Sequence, residues 1–212
     1  MGTTGRGPRS RPSWSTYRQS IGDRSGLFAA LAAAWQPRRA LYPGSYLDLA
    51  PSTAIPSVTY VDTDRRAARF FADPDAVAAD LAGRTRPGAG AEIRFLHADY
   101  TAALPVADAA FDLLVSLYTG PAWDSCRRYL APRGLFLANS SHGDAGLAAL
   151  DPRLTLVAAV HHRGDAYRLD REELGTYLVP TAPAHADPDH IRRTGRGIAY
   201  TRSAFAYVFR LT

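Results

Sequence analysis

The run FDLLVSLYTGPAWDSCRRYLAPRGLFLANSS, residues 111–141, sets the frame for the whole chain. It opens with FDLLVSL (111–117), an almost unbroken apolar segment of strand length. That is the pattern of a strand buried on both faces of a parallel sheet. A helical pattern follows over 122–130, Pro132-Arg133-Gly134 marks a turn, and LFLA (135–138) reads as the next strand. Strand, helix, turn and strand make a parallel crossover, and such a sheet needs helices on its faces.

The flanking sequence continues this alternation. Residues 40–42, 58–61 and 93–96 read as three earlier strands. Residues 13–35 read as one helix with Leu27, Phe28, Leu31 and Trp35 in a single apolar stripe, ended by Pro37. Residues 65–81 are helical, with Ala68, Phe71, Val77 and Leu81 broadly on one side and a break at Asp73-Pro74. TRPGAGA (85–91) is a loop. Downstream, 154–160 and 204–211 read as two late strands separated by a polar, His- and Pro-rich stretch. No helix of ordinary length separates them, so the last strand is expected to run antiparallel. The sequence has no internal repeat.

Composition narrows the function classes. The chain has 212 residues, 46% of them hydrophobic, enough to bury a real core. No window approaches the 18 or so uninterrupted apolar residues of a membrane span, and MGTTGRGPRSRPSWS has no apolar run behind its arginines. A mobile tail over 1–12, a lid helix over 13–38 and an α/β domain over 39–212 are expected, in a cytoplasmic protein. The single cysteine, Cys126, excludes an internal disulfide and reads as a small core residue. With no Cys or Glu at matching spacing, His161 and His162 do not suggest a metal site. All 25 basic residues are arginine and the net charge is +5. Arg6, Arg9, Arg11, Arg192, Arg193 and Arg196 are not interleaved with aromatics, so a solvated basic surface is expected rather than a nucleic-acid interface.

In an open α/β sheet, ligands bind beyond the carboxyl ends of the strands. Tyr42, Pro43, Gly44 and Ser45 follow the first strand, and Gly44 lets backbone approach a ligand closely. Asp62, followed by Thr63, ends the second strand. The interval from Gly44 to Asp62 is 62 − 44 = 18 residues, close to the ~20 that separate a glycine loop from a ribose-binding acid. Asp62 reads as an acceptor for ribose hydroxyls or as a helix cap, and Asp64 is the better cap. Asp99 and Tyr100, after the third strand, suit an exocyclic amine and a flat ring. Ser116 and Tyr118 follow the fourth strand; Asn139 and His142 follow the fifth. His142 reads as a general base or as plain loop beside Gly143.

Taken in order, VDTDRRAARFF (61–71) and FLHADYTAALPVADAAFDLLVSLYTGPAWDSCRRYLAPRGLFLANSS (95–141) resemble the class I S-adenosylmethionine-dependent methyltransferases. The elements are Asp62, Asp99, Leu104-Pro105, the Phe111-Asp112 run, Leu130, Pro132 with Gly134, and the strand at 135–138. The resemblance covers about residues 39–140. It implies a Rossmann-like, doubly wound, mostly parallel seven-stranded sheet with an antiparallel last strand, and S-adenosylmethionine as cofactor. Tyr42, Gly44, Ser45, Asp62, Thr63, Asp99, Tyr100 and Ser116 are the implied cofactor contacts. Tyr118, Asn139 and His142 are the residues implied in the acceptor pocket. In RALYPGSYLDLAPS (39–52) the family's acid-x-Gly-x-Gly-x-Gly loop is replaced by Leu41-Tyr42-Pro43-Gly44-Ser45-Tyr46, with Asp48 as a stand-in for the acid. Ser52 and Thr53 are placed to donate to the methionine carboxylate, and the helix over 13–35 to bring Tyr17 or Arg18 to the cofactor.

Three functions are compatible with this pattern. The first is methyl transfer to a small molecule. The second is cyclisation or aminocarboxypropyl transfer with release of methylthioadenosine. The third is a non-catalytic binding or scaffold protein. No Asn-Pro-Pro-Tyr-type motif follows the fourth strand, so an amide or nucleobase amine acceptor gains no support. A homodimer is the assembly considered, without membrane or nucleic acid.

Overall fold

Five apolar segments set beside one another bury their backbone polar groups only by pairing into a sheet. The computed structural model describes residues 12–164 and 166–212. Arg6, Arg9, Arg11 and the rest of the expected tail up to residue 11 lie outside the described residues. The strands are β1 (Arg39–Pro43), β2 (Ser57–Asp62), β3 (Glu92–His97), β4 (Phe111–Ser116), β5 (Leu130–Ala138), β6 (Leu154–Arg163), β7 (Ala166–Asp170) and β8 (Ala206–Leu211). They form one sheet in the order β3-β2-β1-β4-β5-β8-β6-β7. Pairing is parallel from β3 through β5, and β8 runs antiparallel to both β5 and β6.

The mostly parallel sheet with an antiparallel last strand agrees with the sequence reading, but the described residues hold eight strands rather than seven. The addition is β7, hairpin-paired to β6, with register Val160 to Leu169 and His162 to Tyr167. Its five residues, AYRLD, lie in the stretch read as polar and His- and Pro-rich, where no strand was expected, because an edge strand need not carry an apolar run.

Helices cover both faces. On one face lie α1 (Trp14–Ile21), α2 (Ser25–Trp35), α3 (Arg65–Phe71) and α4 (Pro74–Leu81). Their Trp14, Leu27, Phe28, Leu31, Phe70, Val77 and Leu81 share a core with Tyr42, Val58 and Tyr60 of the strands. On the other, α5 (Ala122–Cys126) and α6 (Asp144–Leu150) bring Trp123, Cys126 and Ala148 against Leu41, Leu114 and Phe136. Alternate residues of β1, Leu41 and Tyr42, go to opposite faces, as strand geometry requires. α7 (Pro188–Thr194) is capped by Asp187, which accepts from the backbone of Asp189 and His190.

Three boundaries differ from the sequence reading. The expected helix over 13–35 is two helices, because Gly22 takes φ +83° and Asp23 then accepts from Ser25 N. The expected helix over 122–130 stops at Cys126 in a 3-10 turn, and Leu130 already belongs to β5. The Pro132-Arg133-Gly134 turn is a bulge inside β5, with Arg133 at φ +64° and the register shifting between Phe111 and Leu113. The segment after β1 forms a 3-10 turn, Ala50–Thr53, where a crossover helix would stand. Residues 98–110, between β3 and β4, form turns without a helix.

Asp144 ties the second face together. Its carboxylate accepts from Ser116 Oγ, from Ala122 N at 2.7 Å and from Trp123 N at 3.3 Å, joining β4, α5 and α6. Burial raises its pKa to about 6 against the pull of these three donors. A carboxyl with a raised folded pKa stabilises the fold most fully below its unfolded value. That contribution is lost as pH rises through about 6, and it amounts to about 3 kcal/mol. Denaturant titrations at about pH 4 and about pH 7 are therefore expected to show the wild type losing more stability than Asp144→Asn. Equal pH slopes would exclude this role for Asp144.

Candidate functional site

The order of strands reverses between β1 and β4, and it is there that an open α/β sheet leaves a crevice at its carboxyl edge. A cavity of about 280 Å³ opens beside this point, lined by Gly44, Asp62, Thr63, Asp99, Tyr100 and Thr101. A larger groove of about 440 Å³ lies between α4 and the 85–91 loop. Its lining of Phe71, Val77, Leu81, Ile93 and other uncharged residues offers no acid or base; the smaller cavity, at the carboxyl ends of the strands, carries two carboxylates and is the candidate site.

Gly44 is held at φ +63°, and its N–H donates to Val61 O at 2.8 Å, so the loop turns sharply over the end of β2. A Cβ at Gly44 would lie 2.0 Å from Thr119 Oγ1. Only glycine permits this approach of the β1 loop to the β4 loop. Asp62 Oδ2 accepts from Tyr46 N and Oδ1 from Asp64 N, both at 2.8 Å. One carboxylate therefore fixes the loops after β1 and β2 together. Asp64, by contrast, caps α3 by accepting from Arg66 N at 2.6 Å. Across the cavity, Asp99 Oδ1 accepts from Thr101 N at 2.8 Å and Thr101 Oγ1 at 2.7 Å. These bonds hold its carboxyl below the usual range, and Asp99 stays ionised. Tyr100 OH accepts from Thr119 Oγ1 at 3.2 Å.

Of the sequence-derived residues, Gly44, Asp62, Thr63, Asp99 and Tyr100 are thus brought to one cavity. Tyr42, Ser45 and Ser116 are not on its lining. Ser116 is buried and donates to Asp144. Tyr42 and Ser45 belong to a second, buried cluster next to Gly44. In it, Tyr42 OH donates to Asp48 Oδ2 at 3.2 Å. Arg24 Nη1 reaches the same oxygen at 3.0 Å and Tyr42 OH at 3.3 Å. Arg24 is 5% exposed and Asp48 1%. Burial works against the charge on Arg24, but Tyr42 and Asp48 hold its pKa above the ordinary value. Burial, then Asp48, push the Tyr42 hydroxyl up, so it stays protonated and donates.

Arg24 is the residue that sequence reading missed. Arg18 and Tyr17 had been expected at the site. Arg18 pairs with Asp23 at 2.9 Å and lies over Trp14. Tyr17 packs edge-on against Tyr46 at 4.9 Å. The arginine that enters follows Gly22, where the helix breaks, and only that break turns it inward. Ser52 and Thr53 are consumed locally: Ser52 Oγ bonds Tyr60 OH at 2.6 Å and Thr53 Oγ1 donates to Ala50 O.

On the β4 and β5 side, Tyr118 is 51% exposed and held at φ +59°. Its ring lies 4.9 Å from the Arg24 guanidinium and 6.4 Å from Phe205. A bulky residue with positive φ is strained, and such strain persists where surrounding structure fixes it. Asn139 is part of that fixing: its Oδ1 accepts from Tyr118 N, Ser141 N and Ser141 Oγ. His142 is exposed on the turn before α6. His161 and His162 lie within β6, where His161 Nε2 meets Tyr177 OH at 2.6 Å and His162 stacks on Tyr167 at 4.2 Å. Burial pushes the Cys126 thiol up to about 12, as befits a core residue. No group of three metal-ligating side chains occurs among the described residues.

No family model matches the chain. No curated protein matches it either. Among solved structures, the 16S rRNA methylase RmtB aligns with 93% of this chain and 66% of its own, at 12% identity and a TM-score of 0.50. The fold is that of the class I S-adenosylmethionine-dependent methyltransferases. The N-methyltransferase NodS from Bradyrhizobium japonicum WM9 aligns over 93% of this chain and 96% of its own, at 15% identity and a TM-score of 0.46. The O-methyltransferase TomG from Streptomyces achromogenes aligns over 74% and 84%, at 13% and 0.47.

The Gly44–Thr119 contact yields a direct test. Gly44→Ala combines an unfavourable φ with a steric overlap and is expected to cost roughly 2 kcal/mol or more. A thermal or denaturant midpoint equal to the wild type would show that the β1 and β4 loops do not meet this closely.

Proposed function

We propose that the chain is an S-adenosylmethionine-dependent methyltransferase acting on a small molecule. The reading is carried by the cavity at the switch point, with Gly44 on one wall and the carboxylates of Asp62 and Asp99 on the others. A carboxylate offers about four acceptor positions. Asp62 uses two on backbone N–H groups, which leaves capacity for the two hydroxyls of a ribose. Asp99 Oδ2 has no protein partner among the described residues and suits an exocyclic amine. Tyr100 and Thr63 complete the walls around a flat base. Near Gly44, Arg24 Nε and Ser45 Oγ are buried donors without partners, a polar lobe with unmet hydrogen-bonding capacity.

S-adenosylmethionine, when bound, supplies an electrophilic methyl carbon to the acceptor's lone pair and leaves as S-adenosylhomocysteine. The protein's task is then mainly alignment. Tyr118 presents an exposed ring at the mouth, backed by Phe205 and by the stacked His162 and Tyr167. Asn139 holds the backbone of Tyr118. His142 is assigned as the group that takes a proton from the acceptor where the acceptor carries one. Six arginines, Arg66, Arg84, Arg128, Arg153, Arg192 and Arg202, are each paired with an aspartate, which lowers the free cationic charge these six offer a phosphate backbone. No helix among the described residues is long and apolar enough to cross a membrane.

Calorimetry with S-adenosylhomocysteine tests this reading. The wild type is expected to bind, and Asp62→Ala to bind at least ~10-fold more weakly with its circular dichroism unchanged. Undiminished binding by Asp62→Ala would remove the ribose assignment. Product analysis decides the reaction: S-adenosylhomocysteine marks methyl transfer, whereas methylthioadenosine would refute it in favour of attack at another carbon.

A further inference from the structure

The amino edge of the sheet, opposite the cofactor cavity, gathers arginines that no acid holds. β1 begins there at Arg39, β4 at Phe111 and β5 at Leu130. Antiparallel β8 brings Arg210 to the same edge, opposite Leu135. Two cavities open on this edge. One, of about 440 Å³, is lined by Arg38, Arg39, Ser57, Glu92 and Asp112 among others. The second, of about 140 Å³, is lined by Trp35, Asp112, Arg133 and Arg210 among others. Four arginines therefore line cavities that hold two acids, and both acids are engaged elsewhere. Asp112 accepts from Arg38 N with both oxygens at 3.0 Å and from Arg39 N at 2.9 Å, all backbone donors. Glu92 Oε2 accepts from Ser57 Oγ at 2.9 Å. Arg18, Arg66, Arg153 and Arg192 each hold an aspartate, whereas the side chains of Arg38, Arg39, Arg133 and Arg210 hold no acid among the described residues.

Arg133 adds an independent signal. It stands at φ +64° in the β5 bulge, left-handed backbone that strains a residue with a Cβ. A glycine there would be free of that strain. Backbone strain of this kind collects where a side chain must be aimed at a ligand. β4 separates β1 from β5, so Arg39 and Arg133 start about 10 Å apart, two strand spacings. Two arginine side chains reach across that interval around one small ligand.

The chemistry favours phosphoryl oxygens, which a guanidinium meets through two parallel N–H bonds. The four cations form two pairs in bounded cavities rather than a stripe along a face, the arrangement a nucleic-acid backbone would need. The indole of Trp35 is covered by the Arg171 guanidinium at 4.6 Å, so it is not free to stack a base.

We propose that the amino edge of the sheet is a second ligand site, which takes a small molecule carrying two linked phosphoryl groups. Arg38 and Arg39 receive one group, and Arg133 and Arg210 receive the other. Asp112 is a positioning residue: it holds the backbone of Arg38 and Arg39 and so fixes where these two side chains begin. The site shares no residue with the cavity at the carboxyl edge and does not rest on the cofactor reading.

Calorimetry with inorganic pyrophosphate on the full chain, at about 0.15 M salt, tests the site. The wild type is expected to bind pyrophosphate at least ~10-fold more tightly than orthophosphate, the gain from a second pair of charge-assisted contacts. Arg133→Gly removes the side chain and the backbone strain together, and is expected to weaken pyrophosphate at least ~10-fold while the chain stays folded. Should it unfold, Arg210→Gln reads the same pair. Arg39→Gln keeps the backbone bond to Asp112 and is expected to weaken pyrophosphate by a similar factor. S-adenosylhomocysteine affinity is expected to be the same in these variants as in the wild type, so the two sites are read separately. Absence of pyrophosphate binding by the wild type, or binding that survives in the variants, overturns the site. Equal affinities for pyrophosphate and orthophosphate overturn the assignment of two phosphoryl groups. A short single-stranded RNA that binds more tightly than pyrophosphate, and is lost in the same variants, overturns the small-molecule assignment in favour of a nucleic-acid backbone.

Discussion

The buried ion pair between Arg24 and Asp48 is the constraint around which the upper face of this protein is arranged. Bringing two charges out of water costs several kcal/mol per ion, and the pair recovers it only with good geometry and further hydrogen bonds. Here Tyr42 OH bridges the two and Ala50 N braces the aspartate. The pair therefore links α2, the end of β1 and the start of the 3-10 turn. Removing either partner strands the other charge in the interior, a penalty of about 3–5 kcal/mol. The segment between β1 and β2 has no ordinary crossover helix to stiffen it, and this charge network supplies the rigidity instead.

The two carboxylates of the upper edge divide the labour. Asp62, bonded to Tyr46 N and Asp64 N, closes the loops after β1 and β2 onto each other and keeps acceptor capacity facing the cavity. Asp48 lies deeper and spends its acceptor capacity inside the protein. Both flank Gly44, whose contact with Thr119 brings the β4 loop down and carries Tyr118 to the mouth. A strained tyrosine and an immobile acid within one loop system are what a preorganised ligand site requires.

The lower face follows different rules. Asp144 gathers three donors from β4 and α5 at the start of α6. Ser116 is thereby drawn into the scaffold, although its place after β4 suggested a ligand contact. Position after a strand tells which residues stand at the carboxyl edge. It does not tell which way each side chain turns, because that is set by which partner in the fold offers the better hydrogen bond.

The amino-acid sequence by itself determined the sheet and half of the site. The apolar run at 111–117, the alternation with helices, and the acids at 62 and 99 are local patterns, and burial of apolar strands leaves few ways to arrange them. The same local reasoning placed Asp64 as the helix cap and Cys126 in the core. Only the tertiary structure decided β7, since a polar edge strand exists through its pairing with β6 rather than through its own composition. Only the tertiary structure placed Arg24. In the sequence it is one of 25 arginines, separated from Asp48 by 24 residues. Its role depends on a helix break at Gly22 and on a long-range charge pair, and neither leaves a periodic trace in the chain.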